Sequence, residues 1–107
     1  MITGTNGFLG RNSMEYFQAR YTDFAVPKRR DLDLLDGPAV RDYISSSYYD
    51  AVIHCGVTLH SVEENLKMYF NLERCSDEYG RLLCIGSGAE FDIKNYIPQM
   101  REDYFGQ

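Results

Sequence analysis

Three glycines at three-residue intervals stand near the start of the chain, in Ile2-Thr3-Gly4-Thr5-Asn6-Gly7-Phe8-Leu9-Gly10. A strand end before them and an amphipathic helix after them make this a turn suited to a pyrophosphate. Gly4 permits the tight turn off the strand. Gly7 lets the backbone approach the anion with no Cβ in the way, and Gly10 lets the helix sit close to the sheet. The turn, with Asn6 in it, places the free N–H groups of Phe8 and Leu9 toward the anion, and the helix dipole adds to the attraction. No Gly-Lys-Ser/Thr follows, so this is not a Walker A loop. Taken alone, the same spacing is compatible with glycines that merely make a turn.

The elements that must position this turn follow from periodicity. Met1–Thr3 reads as the end of a strand, and 23–26, 49–55 and 81–85 as further strands, with a short extended piece near 31–33. Helices are expected from Phe8 to about Arg20, with Leu9, Tyr16 and Phe17 on one face, and from Asp36 to about Ser46. The second has a capping Asp and Pro38 in its first turn. A third helix is expected from Ser61 to Tyr79, opened by the capping box Ser61-x-x-Glu64 and stopped by Gly80. Its apolar residues form two adjacent stripes, Val62, Leu66, Tyr69 and Phe70, then Met68, Leu72, Cys75 and Tyr79, wider than one sheet contact needs. Strands separated by helices imply parallel pairing, hence an α/β doubly wound parallel sheet, Rossmann-like, in three αβα layers with about five strands.

Composition narrows the function further. The 107 residues carry a formal net charge of −5 and fit a single domain. An acidic chain is a poor partner for nucleic acid, and no apolar run is long enough to span a bilayer. There is no basic-then-apolar leader, and the cytoplasm is the expected location. Cys55, Cys75 and Cys84 are odd in number and lack a C-x-x-C, so neither a disulfide framework nor a metal site is expected. Buried reduced thiols fit better.

The motif T-G-x-x-G-F-L-G resembles the opening of the extended short-chain dehydrogenase/reductases, the NAD(P)-dependent epimerase/dehydratase family, and the resemblance extends over nearly the whole chain. In such proteins an acid after the second strand holds the ribose 2′-hydroxyl of NAD, while bases there hold the 2′-phosphate of NADP. Here Pro27-Lys28-Arg29-Arg30 stands in that place, so Lys28 and Arg29 favour NADP over NAD. A solvated basic loop is the other reading. Asp31-Leu32-Asp33-Leu34-Leu35-Asp36 resembles the family's adenine-pocket segment, which gives Asp33 the adenine amino group and Leu34 the ring face; Asp36 is simply an N-cap.

Val52-Ile53-His54-Cys55-Gly56-Val57 resembles the strand end that passes beside the cofactor, so Cys55, Gly56 and Val57 are expected to line it, although Val57 replaces the usual alanine. His54 is expected to be structural. The connection from Val57 to Ser61 is short for the family, and Asn65 matches an asparagine that supports neighbouring strand ends, or is an exposed helix residue. Leu83-Cys84-Ile85-Gly86-Ser87-Gly88-Ala89-Glu90-Phe91 resembles the segment carrying the family's catalytic Ser/Thr. That match gives Ser87 the substrate hydroxyl or carbonyl oxygen, with Phe91 in place of the usual Tyr.

The family's base is a Tyr whose pKa is lowered by a Lys four residues on. The residues four before Lys28, Lys67 and Lys94 are Phe24, Glu63 and Glu90, so no Tyr-x-x-x-Lys is present. The chain is expected to be a cofactor-binding piece of a longer epimerase, dehydratase or reductase of nucleotide sugars, cut before that pair and inactive alone. The alternatives are a non-catalytic NAD(P)-binding regulatory module and a dimerising scaffold. The 61–79 helix, through which family members commonly pair, is the expected homodimer surface.

Overall fold

A computed structural model describes residues 1–21 and 23–85. The element order is β1 (Ile2–Thr3), α1 (Phe8–Gln18), α2 (Gly37–Ser45), β2 (Tyr49–His54), α3 (Val62–Glu73), a 3-10 turn (Ser76–Glu78) and β3 (Tyr79–Cys84). The strands form one parallel sheet in the order β1-β2-β3. Thr3 is in register with His54, and His54 with Cys84, so the carboxyl ends of all three strands open onto one edge. Parallel pairing follows from the helical crossovers between the strands.

The core gathers around β2. Val52 lies among Val40 and Ile44 of α2, Leu72 of α3, Leu32, Cys75 and Tyr79. These are the periodic apolar positions of α2 and the inner stripe of α3. Asp36 caps α2 by accepting from Ala39 N–H, with a proline in the first turn, and Ser61 caps α3 by accepting from Glu64 N–H. No helix among the described residues is long and apolar enough to cross a membrane.

Several elements differ from the sequence reading. The described residues hold three strands; 23–26 is not one of them and touches β1 through a single backbone bond, Ile2 N–H to the Ala25 carbonyl at 2.9 Å. The piece near 31–33 is not extended but follows a turn, in which the N–H groups of Asp31 and Leu32 both reach the Lys28 carbonyl. The third helix stops at Glu73, not Tyr79. The Arg41 guanidinium from α2 takes the Arg74 carbonyl at 2.6 Å, the 3-10 turn reverses the chain, and Tyr79 opens β3 with its hydroxyl on the Leu72 carbonyl. Gly80 therefore lies within a strand. A Cβ there would overlap the Asp50 carbonyl, so it serves close strand approach and not helix termination.

The inner face of α1 is also rotated from expectation. Gly10 is buried and Ser13, Met14 and Phe17 are half-buried, at i, i+3, i+4 and i+7, whereas Leu9 and Tyr16 are exposed. Of the thiols only Cys75 is buried; Cys55 is half-buried and Cys84 exposed.

Candidate functional site

The glycine turn leaves the carboxyl end of β1. Gly4 has φ +73°, and a Cβ on it would stand 2.5 Å from the Cys55 carbonyl carbon and the Gly56 nitrogen. Only glycine combines that conformation with so close an approach to β2. Gly7 N–H closes the turn on the Gly4 carbonyl at 3.1 Å, and Gly7 is the N-cap of α1. Gly10 sits directly behind, where a Cβ would collide with the Gly4 carbonyl. Gly7 differs from both. Its φ is −82°, and a Cβ would meet only the Gly4 carbonyl oxygen at an ordinary 3.5 Å. Nothing within the described chain requires glycine there.

A cleft of about 310 Å³ opens beside this turn. Gly4, Asn6 and Gly7 line it, and so do Lys28, Arg29, Asp33, Leu34, Cys55, Gly56 and Val57. Ten residues singled out in four separate stretches of sequence thus converge on one cavity. Phe8, Leu9 and Gly10 are not in its walls. Phe8 and Leu9 hold the first positions of α1 with exposed side chains, so only their backbone N–H groups, which have no partner inside the helix, could serve an anion. Gly10 supports the turn from behind. Ser87 lies outside the described residues.

The second wall is built by local hydrogen bonds. Asp33 Oδ1 accepts Leu35 N–H at 3.0 Å and the Asp33 carbonyl accepts Asp36 N–H at 3.0 Å, which bends 33–36 and presents Leu34 to the cleft. Asn71 of α3 fixes this bend by donating from Nδ2 to the Leu34 carbonyl at 2.8 Å. The basic loop is tied across the cleft, with the Lys28 ammonium 2.7 Å from Thr5 Oγ1 and 3.3 Å from Asn6 Oδ1.

The floor is the end of β2. His54 is buried, and its Nδ1 shares a 2.7 Å hydrogen bond with the buried Thr3 hydroxyl. Burial pushes its pKa down, so the ring is neutral near neutral pH and structural, as expected. Gly56 is small because a Cβ would stand 3.1 Å from the His54 ring. Burial pushes the Cys55 thiol up, with the Ser13 side chain opposing it, so Cys55 is not poised as a nucleophile. Asn65 is not a free helix residue: it pairs with both backbone groups of Thr58, directly after the floor.

Sequence reasoning did not find Thr5, Leu32, Thr58, Glu64 and Met68 in the walls, or Asn71 behind them. Thr5 was legible only as a spacer between glycines. Asn71 carried no signal beyond a polar residue at i+6 from Asn65.

A sequence model of the NAD dependent epimerase/dehydratase family matches residues 1–104, and the chain belongs to that family. Among solved structures, a GDP-6-OMe-4-keto-L-xylo-heptose reductase from Campylobacter jejuni superposes with a TM-score of 0.85 at 23% identity, over 97% of this chain and 33% of that one. A GDP-mannoheptose C4 reductase with NADP bound and a GDP-D-glycero-L-gluco-heptose synthase in the presence of NADPH, both from the same organism, give the same score and identity over 97% of this chain and 34% of theirs. The chain thus spans about a third of the length of these structures, which share its Rossmann-like fold. No curated protein matched.

Proposed function

We propose that the chain is the dinucleotide-binding portion of an NADP(H)-dependent enzyme acting on a nucleotide sugar. The observation that carries this reading is the convergence of the Gly4–Gly7 turn and the Lys28–Arg29 loop on one cleft. The cleft fits such a group: the space a Cβ would take at Gly7 is demanded by nothing in the chain, and the basic pair faces a cavity in an otherwise acidic protein. Bound there, the nicotinamide would exchange hydride with a sugar carbon.

The chain's own residues hold and orient. The amides of Phe8 and Leu9 take the pyrophosphate, the Lys28–Arg29 loop carries positive charge to the 2′-phosphate, and Asp33 and Leu34 take the adenine edge and face. Cys55, Gly56 and Val57 bring backbone beside the ribose. Ser87 is assigned the substrate oxygen on its sequence match alone. NADP is preferred to NAD because Lys28 and Arg29 stand where NAD-binding members place an acid, and the cofactors of the reductase and the synthase above support the choice. With no Tyr-x-x-x-Lys among its 107 residues, the chain by itself binds without turnover.

Displacement of NADPH tests the reading. With NADPH fluorescence as readout, 2′,5′-ADP should compete far better than 5′-AMP. Equal competition would overturn the 2′-phosphate assignment.

One observation favours a role for α3 in pairing. Val62, Leu66 and Phe70 form an exposed apolar stripe along it, facing away from the buried Leu72. Sedimentation of the chain against a Leu66→Glu, Phe70→Glu variant tests a homodimer through this helix, which is the surface that the scaffold alternative would also use.

A further inference from the structure

We propose that Lys28 is a positioning residue that clamps the glycine turn, and that Arg29 carries the selectivity for a 2′-phosphate. The inference rests on the dinucleotide reading above and divides a basic pair that the sequence treats as one.

The two side chains stand in different situations. Lys28 is fixed at both ends. Its N–H donates to Asp31 Oδ2 at 3.0 Å, and its carbonyl accepts two N–H groups, from Asp31 and Leu32, at 2.9 Å each. Its ammonium crosses to the turn and donates to Thr5 Oγ1 at 2.7 Å and Asn6 Oδ1 at 3.3 Å. An ammonium has three donors, so two are spent on the turn. Thr5 is buried between Gly4 and Gly7, and holding it holds the backbone whose amides must meet the pyrophosphate. No carboxylate pairs with Lys28 among the described residues, so its charge is left uncompensated beside that turn. Arg29 is exposed, lines the same cleft, and makes no hydrogen bond or ion pair with the described residues. Its planar fork can take a phosphate bidentately without breaking anything, whereas Lys28 has one ammonium donor left and could offer a second only by leaving Thr5 or Asn6.

The test measures equilibrium affinity of the full chain for NADPH and for NADH. Lys28→Met should weaken both by a similar factor, about tenfold for a charge-assisted bond. Thr5→Val should weaken both as well, and the Lys28→Met, Thr5→Val double variant should be little worse than Lys28→Met alone, because the two share one interaction. Thr5→Ser, which keeps the hydroxyl, should bind like the original chain. Arg29→Met should weaken NADPH by about tenfold or more and leave NADH unchanged. If Lys28→Met fails to fold, Thr5→Val and Thr5→Ser carry the comparison. Loss confined to NADPH in Lys28→Met, or additive losses in the double variant, would overturn the clamp. Silence of the unaltered, folded chain toward both dinucleotides would instead overturn the reading on which the clamp rests.

Discussion

Asn65 and Thr58 are joined by two hydrogen bonds, both 2.8 Å long: Asn65 Nδ2 donates to the Thr58 carbonyl and Asn65 Oδ1 accepts the Thr58 N–H. One side-chain amide thereby satisfies both backbone groups of the residue that follows the cleft floor, and α3 is pinned to the segment that leaves β2. Asn65→Leu leaves both groups without a protein partner. It should cost about 1–3 kcal/mol of stability and weaken dinucleotide binding. Asn65→Asp, which keeps an acceptor for the N–H but sets a charge against the carbonyl, should fall between. Chemical denaturation and NADPH titration of the two variants check this; unchanged affinity in Asn65→Leu would show that the floor does not depend on the pin.

Gly7 and Gly10 should respond oppositely to added bulk. At Gly10 the new Cβ collides with the Gly4 carbonyl, so Gly10→Ala should lower stability by about 1–3 kcal/mol or more, or prevent folding, as overpacking against rigid backbone does. At Gly7 the backbone is ordinary and the space is open, so Gly7→Val should stay folded and lose dinucleotide binding. Melting curves and NADPH titration separate the two.

Asn71 supports the opposite wall. Asn71→Leu removes the donor to the Leu34 carbonyl and loosens the 33–36 bend; if that bend takes the adenine as proposed, NADPH and 5′-AMP should weaken together. Its predicted cost is about 1 kcal/mol, the ordinary worth of one neutral hydrogen bond. Competition by 5′-AMP in both proteins is the measurement.

His54 makes stability depend on pH. Its folded pKa lies below the ordinary histidine value, so between the two the unfolded chain binds the proton and the folded chain does not. Stability is therefore intact above the unfolded pKa of about 6.5 and falls as pH drops below it, by at most about 1.4 kcal/mol per unit, until the folded pKa is reached. Denaturation midpoints from pH 7.5 to 5.5 should fall more steeply for the unaltered chain than for His54→Asn. Parallel slopes would show that His54 is not the group responsible.

The parts of the fold governed by local chemistry were legible. The glycine turn, the Asp36 and Ser61 caps and the apolar strand at Tyr49–His54 depend on neighbours within a few residues. What could not be read depends on distant partners. The Cys75 and Tyr79 side chains continue the helical spacing of α3, but Tyr79 reaches the Leu72 carbonyl from a strand, and Arg41 receives the helix end from another element. The cleft's chemistry divides in the same way. Which stretches would meet followed from motif and family, whereas the bond from Lys28 to Thr5 spans 23 residues of sequence, and no spacing rule foretells it.

The proposed function rests on one cleft in this chain binding a dinucleotide with preference for a 2′-phosphate. Calorimetric titration of the folded chain with NADPH and NADH, side by side at fixed salt, tests it most directly. Both should bind, NADPH the more tightly. Equal or tighter NADH binding would contradict the 2′-phosphate site, and the absence of heat with either would contradict the cleft.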